Sequence, residues 1–462
     1  MTQQAVIDEP AAEGRGLTAT LAQRCRALSY EQLPADVIAV AKQCLIDWLG
    51  VTFAGYTEPA AQIIRDEMAA QGGNPQAAVV GSRARLSAYQ AAVVNGTTAH
   101  ALDYDDVLES MLGHPSAPIY AAVLALAEAE QRSGRECLTA FVAGVEAASA
   151  LGRLTSPSHY ERGFHTTGTI GTVGAAAACA HLLGLDSPAW RTALGIGATQ
   201  AAGLKAVFGT MSKPFHAGKA AGHGVLAASL ARRGMSSSLE IIEAPRGFAP
   251  TMSAGPDRAA LAGWARSFDT RDVLFKYHAS CYHTHSAIEG VLSLREKGLD
   301  PATVEHVELR IKPGLLGTCA IPRPVTGLEG KFSLKFVTAL ALITGEASEH
   351  CFTDEMVARP DVVALRDRVE LVVDERLTDE FAIPLTVTTG PGAGLTACVN
   401  VGCPAAGEAL KRQGQRLAAK FRSLAAPRVG PGTCEQILET VADLEAPGSV
   451  TRLASLVGAD PS

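Results

Sequence analysis

The chain has 462 residues, of which 47% are hydrophobic, 19% charged and only 5% aromatic, and its formal net charge is −7. One hydrophobic core stops growing below this length, so we expect two domains. The acidic balance and the absence of a long basic run argue against a nucleic-acid partner and against a basic membrane-binding surface. A small molecule is therefore the expected partner.

Cysteine spacing and the N-terminal sequence bear on the cellular compartment. The ten cysteines lie singly, without a CxxC zinc pattern, and only Cys398 and Cys403 are close together. The first residues, MTQQAVIDEPAA, are polar and acidic, unlike a signal peptide or an Arg-rich transit peptide. No uninterrupted apolar run reaches the roughly 18 residues of a membrane span. We expect a cytoplasmic, reduced protein that does not bind membranes.

Helical spacing of apolar residues dominates the first half of the chain. Leu17 to Gly55 predicts two helices joined near Pro34, and residues 76–83 predict a short turn or strand. Ser87 is a suitable N-cap for a helix that runs toward His100. Further helices, rich in Ala and Gly and therefore able to pack closely, are predicted at 117–132, 136–153, 167–184, 188–202 and 214–233.

The pattern changes after about Phe268. Alternating polarity and a high content of β-branched residues predict strands at 303–312, 368–374 and 395–403. Helices are predicted between them at 284–297 and 333–345. From Glu408 to Leu456 the helical spacing resumes and predicts three short helices. The sequence therefore predicts a mainly α protein in which an α+β insert of residues 269–404 interrupts a helical domain of residues 1–268 plus 405–462.

The densest group of titratable residues is HALDYDD, His100–Asp106, followed by GHPS, Gly113–Ser116. Carboxylates crowded at a helix end repel one another, so at least one should have a raised pKa unless a cation or hydrogen bond compensates it. This grouping predicts acid–base chemistry. The alternative is a solvated acidic loop in which one aspartate caps the next helix.

A second motif, RGFHTTGT, leads into a Gly/Ala-rich helix that Thr166 or Thr167 is expected to cap. An exposed helix N-terminus with adjacent hydroxyls binds carboxylates well, and His165 would stand at its rim. The alternative is ordinary capping beside an interior histidine.

A third motif, MSKPFHAGKAAGH, places Pro214 in a first helical turn and His216, Lys219 and His223 on one face, predicted to be cationic. Lys213 precedes the proline, so we expect it to be extended and to point its ammonium into a cleft. The alternative is a solvated basic face.

The fourth motif, KYHASCYHTH, has His283 and His285 at alternating positions. No third or fourth ligand with a recognisable spacing accompanies them, so a metal site is not favoured. Cys281 is a possible nucleophile, but no pattern supports it.

Together the motifs offer carboxylates, imidazoles and a lysine, without a GxGxxG loop, a P-loop or a GxSxG elbow. This set suits proton abstraction beside a carboxylate of an anionic substrate that cations hold in place. It does not suit hydride or phosphoryl transfer.

The ordered motifs HALDYDD with GHPS, GFHTTGTIGTVG, SKPFHAGKAAGHG and CYHTHSAIEG resemble the MmgE/PrpD family over about Leu17–Leu456. The family includes dehydratases, decarboxylases and epimerases of small carboxylic acids. The resemblance implies a large all-helical domain with an inserted smaller α+β lid domain, and a homodimer that needs neither a metal nor an organic cofactor. By motif it implies catalytic roles for Asp103, His114, His165 and His285, and we predict that Lys213, Thr166 and His216 bind substrate.

Two positions depart from the family's decarboxylases. Val107 stands where they have threonine after a DFDD segment, and Phe336 stands where they have tyrosine. Each change removes a hydroxyl that a substrate can bond, which argues against the decarboxylases' own substrate. The tryptophan-containing insertion before HPS in the family's dehydratases is absent as well, because only residues 107–113 separate Asp106 from His114.

We therefore expect a cofactor-independent lyase, a dehydratase or decarboxylase, that acts on a small di- or tricarboxylic acid by proton transfer next to a carboxylate. One alternative is an epimerase or isomerase of a dicarboxylic or amino-dicarboxylic acid, with bases on both sides of one carbon. The other is a carboxylate-binding protein without catalytic activity.

Overall fold

Two compact units make up the structure, a computed structural model that describes residues 16–390 and 394–458. The helical unit extends to Phe275 and resumes at Pro404, and the mixed unit is Lys276–Cys403. Residues 269–275 lie with the helical unit, because Thr270 donates from its backbone N–H to Glu146 Oε1 at 2.9 Å.

The helical unit is built from helices and one very short antiparallel pair of strands, β1 (Ala77–Ala78) and β2 (Arg85–Leu86). Up to Phe275 its helices are α1 (Leu17–Arg26), α2 (Ala35–Gly55), α3 (Pro59–Ala70), α4 (Ala88–Ala99), α5 (Ser116–Ala129), α6 (Gly134–Thr155), α7 (Ser158–Glu161), α8 (Thr166–Leu182), α9 (Ser187–Thr199), α10 (Ser212–Arg232) and α11 (Phe248–Met252). Ser87 caps α4 as predicted, because its side chain accepts from Gln90 N–H.

Helices α4 and α10 cross at two glycines. A Cβ on Gly96 would lie 2.9 Å from Gly218 Cα, and a Cβ on Gly218 would lie only 2.1 Å from the Val93 carbonyl oxygen. Any side chain at the crossing would therefore collide with backbone. This close approach holds the C-terminal end of α4 near α10, and α10 also packs against α8.

The mixed unit carries a four-stranded sheet with short helices. Its elements are α12 (His285–Glu296), β3 (His306–Ile311), α13 (Leu316–Cys319), α14 (Gly327–Gly330), α15 (Leu334–Thr344), α16 (Asp354–Val357), α17 (Pro360–Arg366), β4 (Val369–Val373), β5 (Leu385–Thr388) and β6 (Leu395–Ala397). The strand order is β4-β3-β5-β6, with only β3 and β4 parallel. Strand β3 alternates buried and half-buried residues, as expected of a sheet with one covered face.

The chain ends with two further helices of the helical unit, α18 (Glu408–Ala442) and α19 (Ser449–Val457). Within α18, Gly430 has a φ of 75° and breaks the helical path between Pro427 and Pro431. With α19, the two helical stretches of α18 on either side of Gly430 make three helices, the number predicted, although the first stretch is longer than expected. The glycine supplies the left-handed residue that lets the chain turn and resume.

The predicted fold class, a mainly helical protein with a smaller α+β part, is confirmed. Strand β5 was not predicted, because its four residues, LTVT, are too few to show alternation. The predicted strand over 395–403 is regular only at Leu395–Ala397.

Helices α2 and α6 are long and apolar enough to cross a membrane by length and composition. Their apolar side chains are largely used inside the helical unit, since 67% and 94% of their most apolar windows are buried. Core helices of a folded domain have this composition, so the two helices are weak evidence for a membrane span.

Candidate active site

A buried imidazole–carboxylate pair begins the predicted acidic motif. His100 is the C-cap residue of α4, and its Nδ1 lies 2.9 Å from Asp105 Oδ2. Both side chains are almost fully buried. A carboxylate accepts hydrogen bonds, so His100 donates to Asp105 from Nδ1.

Asp103 lies between these two residues and adopts the left-handed conformation, with a φ of 53°. Its Oδ1 is 3.0 Å from Lys213 Nζ, and the two side chains are 24% and 17% exposed. Positive φ is uncommon for a residue with a side chain and collects at functional sites. The strained backbone turns this carboxylate toward the lysine.

His114 lies between two carboxylates. Its Nε2 is 3.6 Å from Asp103 Oδ1, and its Nδ1 is 3.4 Å from Asp105 Oδ2. The backbone N–H of His114 donates to Thr167 Oγ1 at 3.1 Å, which ties this loop to the start of α8. Both ring nitrogens therefore face oxygens that can accept a proton from them.

His165 is 3% exposed and stacks on His100, with ring centroids 5.6 Å apart. Its Nδ1 is 3.0 Å from His216 Nδ1, so one of the two imidazoles donates to the other. Burial, followed by the nearby His100 and Lys213, holds the pKa of His165 far below its usual value. Burial likewise lowers the pKa of His216 to about 4.

The prediction of a cationic face on α10 is wrong for the two histidines on that face. Burial also lowers the pKa of His223, so both imidazoles on that face are neutral near pH 7. Lys219 donates to the Ala202 carbonyl oxygen at 2.5 Å, and burial lowers its pKa to about 8. Desolvation of the buried groups lowers these pKa values, and the spacing of residues in the sequence does not reveal burial of this kind.

The predicted capping at α8 is also wrong. His165 is the N-cap residue and makes no capping bond with its side chain, while Thr166 Oγ1 donates to the Leu112 carbonyl oxygen at 2.5 Å. Gly113 covers the helix end, since a Cβ there would lie 3.1 Å from Thr167 N. The start of α8 thus holds the His114 loop, and the substrate-binding role of Thr166 stays a prediction.

Lys213 is helical rather than extended, because α10 begins at Ser212. In a first turn the missing N–H of Pro214 costs no hydrogen bond, so the helix can start before the proline. The Lys213 ammonium still points at Asp103, and it also lies 5.2 Å from the ring centroid of Phe208.

Asp106 is a fully buried carboxylate behind the site. It accepts from the backbone N–H of Ser116 at 3.2 Å and from the Ser116 hydroxyl. Burial and then the charge of Asp47 raise the pKa of Asp106 to about 8. The expectation of a raised carboxyl pKa in this motif is confirmed, with burial as the main cause.

The residues that surround Asp106 could not be predicted from the sequence. Asp47 pairs with Lys420 Nζ at 2.7 Å, and the same ammonium donates to the Tyr104 carbonyl oxygen at 2.8 Å. Lys420 lies on α18, far from the motif along the chain. A lone lysine in a predicted helix carries no signal for such a partner.

Four side chains of the site, His100, Asp103, Asp105 and His114, lie close enough to hold a metal ion, with ligand atoms within 4.8 Å of one another. The Lys213 ammonium already lies against Asp103, where it supplies a positive charge to the same carboxylate. The expected independence from metal stays a prediction that this geometry makes worth testing.

His285, the remaining predicted catalytic residue, begins α12 of the mixed unit and is 1% exposed. Its ring lies 5.0 Å from that of His278 and 5.0 Å from that of Tyr282, measured between centroids. Among the described residues, neither His283 nor His285 joins a group of three metal-ligating side chains. The catalytic role of His285 stays a prediction.

The two departures from the decarboxylase pattern sit in different surroundings. Val107 is half-buried and donates from its N–H to the Leu274 carbonyl oxygen at 2.8 Å, close behind the Asp103–Asp106 stretch. Phe336 is fully buried in the mixed unit, where its ring lies 6.2 Å from that of Phe352.

Two family models match the chain, the MmgE/PrpD N-terminal domain over residues 19–260 and the MmgE/PrpD C-terminal domain over residues 278–446. The chain belongs to the MmgE/PrpD family. The resemblance seen in its motifs is thereby confirmed.

Known relatives align over most of their length. Human cis-aconitate decarboxylase is 29% identical over 93% of this chain and 92% of its own. Cis-aconitate decarboxylase of Aspergillus terreus is 24% identical over 96% of each chain, and 2-methylcitrate dehydratase of Cupriavidus necator is 25% identical over 90% and 91%. These names confirm the predicted class, an MmgE/PrpD-type lyase, at the level of the family.

Proposed function

We propose that this protein is a cofactor-independent lyase that removes water or carbon dioxide from a small di- or tricarboxylic acid. One observation carries the proposal: an ammonium, carboxylates and imidazoles contact one another in the order Lys213, Asp103, His114, Asp105, His100 and His165. The decarboxylase and dehydratase names of the relatives support this reaction class and this class of substrate.

Lys213 is the proposed anchor of a substrate carboxylate. Its side chain is 17% exposed, and its ammonium has an aspartate oxygen at 3.0 Å, a position that an incoming carboxylate can share or take over. Charge-assisted hydrogen bonds of this kind are the strong ones in binding sites. His216 beside His165 and the hydroxyl of Thr166 are proposed as further contacts to substrate.

His165 is the proposed group for the proton at carbon. It is neutral in the resting protein, so it can accept a proton without first losing one. Its Nδ1 faces His216, which orients the ring and leaves Nε2 as the nitrogen for the substrate. His285 is proposed as an alternative group for the same proton.

His114 is the proposed donor at the leaving group, held by Asp103 and Asp105 on its two nitrogens. In a dehydration, His165 takes the C–H proton, the C–O bond breaks, and the hydroxide leaves as water with a proton from His114. In a decarboxylation, the C–C bond breaks, carbon dioxide leaves, and an imidazolium returns a proton to carbon. Both reactions balance without an added oxidant or reductant.

The test is a turnover assay of the purified protein with citrate, 2-methylcitrate and cis-aconitate, in which NMR identifies the products and Lys213→Ala is assayed beside the wild type. We expect the wild type to remove water or carbon dioxide from one of these acids, and Lys213→Ala to be strongly impaired. If no such acid reacts, or if Lys213→Ala is as active as the wild type, the proposal fails. Exchange of a substrate hydrogen in D2O without elimination would instead support the epimerase alternative.

Three further properties belong to the same proposal. We propose a homodimer in the cytoplasm without a resident metal or organic cofactor. Size measurement in solution and metal analysis of the purified protein test the first and last of these directly.

A further inference from the structure

The mixed unit holds two buried, free thiols on neighbouring segments, Cys281 and Cys319. The backbone brings them together. Cys281 donates from its N–H to the Lys331 carbonyl oxygen at 2.9 Å, and Ala320, next to Cys319, forms a bridge with Ser333. Both cysteines are thus held by backbone contacts to the same short segment, Lys331–Ser333, which brings the two thiols close together.

An imidazole and a carboxylate extend this pair. Cys281 Sγ lies 3.8 Å from His283 Nδ1, and His283 Nε2 lies 3.2 Å from Glu380 Oε1. Thiol, imidazole and carboxylate therefore stand in the order that activates a cysteine. The His283 and Glu380 side chains are 25% and 43% exposed, so solvent reaches the polar end of this row.

Electrostatics distinguish the two sulfurs. The hydrogen bond from Cys319, with help from His283, holds the pKa of Cys281 well below its usual range although burial opposes this. The hydrogen bond to Cys281 and then burial raise the pKa of Cys319. Burial, followed by the charge of Glu136, raises the pKa of Cys137 to about 12, and an upward shift is the ordinary behaviour of an interior thiol.

We propose that Cys281 and Cys319 form a peroxide-reactive thiol pair, in which Cys281 is the attacking sulfur and Cys319 the resolving sulfur. The Cys281 thiolate attacks one oxygen of a hydroperoxide, an S–O bond forms, the O–O bond breaks, and the leaving oxygen takes a proton from His283. Cys319 then attacks the sulfenic sulfur, the S–S bond forms, and water leaves. Two thiols are oxidised and one peroxide is reduced, so atoms and electrons balance.

The disulfide would act on the turn before His285. The Cys281 carbonyl oxygen accepts from Thr284 N–H at 2.9 Å and from Thr284 Oγ1 at 2.7 Å. Helix α13, which ends at Cys319, packs against the turn Tyr282–Thr284. Oxidation therefore strains the start of α12, and any loss of turnover that follows rests on the proposed function, whereas the thiol chemistry does not.

The experiment uses the reduced full-length protein and hydrogen peroxide as the probe. After exposure at pH 7, peptides are mapped without reduction, and Cys319→Ser is treated in parallel with a reagent that traps sulfenic acids. The exposed Cys398 and Cys403 serve as internal standards. Cys351→Ser is the matched control, since it also removes a buried thiol of the mixed unit.

We expect a Cys281–Cys319 disulfide that dithiothreitol reverses, and a trapped sulfenic acid on Cys281 in Cys319→Ser. Cys281 should react at least about tenfold faster than the exposed cysteines, because an ordinary thiol is only a few per cent ionised at pH 7. His283→Gln should slow the reaction, and Cys351→Ser should not. If Cys281 in the folded protein reacts no faster than Cys398 and Cys403, or no 281–319 disulfide forms, the proposal is overturned. Should Cys319→Ser fail to fold, the wild-type disulfide map alone decides.

Discussion

Lys213 Nζ lies 3.0 Å from Asp103 Oδ1 and so joins the first turn of α10 to the left-handed residue that follows α4. Replacing this lysine with methionine keeps the stem and removes the charge. We expect kcat/KM for the substrate acid to fall roughly 10- to 100-fold, because a hydrogen bond to a charged group is worth about 1.5–3 kcal/mol. Steady-state kinetics measures this.

Lys205→Met is the matched control for the Lys213 variant, because Lys205 Nζ bonds to the Tyr160 carbonyl oxygen instead. Its activity should stay close to that of the wild type. Equal losses in the two variants would mean that general charge, not the Asp103 contact, is what matters.

Asp103→Asn separates the charge of this residue from its backbone. Asparagine tolerates positive φ well, so the thermal midpoint should change little. Turnover should fall by about 100-fold or more if the carboxylate acts with His114 in proton transfer. Asp103→Gly, which accepts the same φ of 53° without strain, should be equally inactive and at least as stable. An active Asp103→Asn protein would remove this carboxylate from the mechanism.

Asp106 predicts how stability depends on pH. Its folded-state pKa of about 8 exceeds the value of about 4 for an unfolded aspartate, so the folded protein holds the proton more tightly. Stability from this group is present at low pH and is lost as the pH rises from about 4 to about 8. Asp106→Asn keeps an oxygen acceptor for Ser116 and cannot ionise, so it should flatten this decline in urea unfolding. An unchanged pH profile in the variant would contradict the assignment.

Metal analysis tests the four-residue group around His114. We expect the purified protein to contain less than one metal ion per chain and to keep its activity after dialysis against EDTA, because Lys213 already supplies a positive charge at Asp103. The same measurements are made on Lys213→Met, in which the Asp103 carboxylate no longer has an ammonium beside it and should bind Zn²⁺ or Mn²⁺ more easily. Activity that EDTA abolishes and one metal restores would make the site a metal centre.

Val107→Thr tests the missing hydroxyl. Threonine has nearly the shape of valine, and the backbone bond from residue 107 to Leu274 does not depend on the side chain. If a hydroxyl here bonds the substrate, activity toward cis-aconitate should rise roughly tenfold or more, since one such bond discriminates strongly. Val107→Ala, which changes volume without adding a hydroxyl, should bring no gain. A gain in both variants would point to space in place of hydrogen bonding.

Local pattern sufficed for most of the helices, and it singled out motifs that the fold brings together. Ser87 caps α4, and the stretch from His100 to Asp106 contacts both Lys213 and His114. Local pattern could not predict which polar side chains are buried. Burial keeps His216 and His223 neutral and raises the pKa of Asp106, and it depends on residues distant in the chain, such as Lys420.

Backbone geometry was the other missing quantity. The left-handed Asp103 has no sequence signature, because aspartate is common in every kind of loop. Lys213 was expected to be extended since a proline follows it, yet a helix start tolerates that arrangement. Cys281 lacked a supporting pattern for a different reason, since Cys319 and Glu380 lie far from it in the chain.

The close crossing of α4 and α10 at Gly96 and Gly218 sets the distance between two helices that carry polar residues of the candidate site, although neither glycine takes part in the chemistry. Asp103 follows one of these helices and Lys213 starts the other, so the thickness of the crossing sets the length of their ion pair. In a saturation mutagenesis screen scored on activity, replacing either glycine, even with alanine, should therefore lower activity, as replacing the polar residues should. An engineer who wishes to move this pocket toward bulkier acids has to leave that crossing alone and reshape the loops instead.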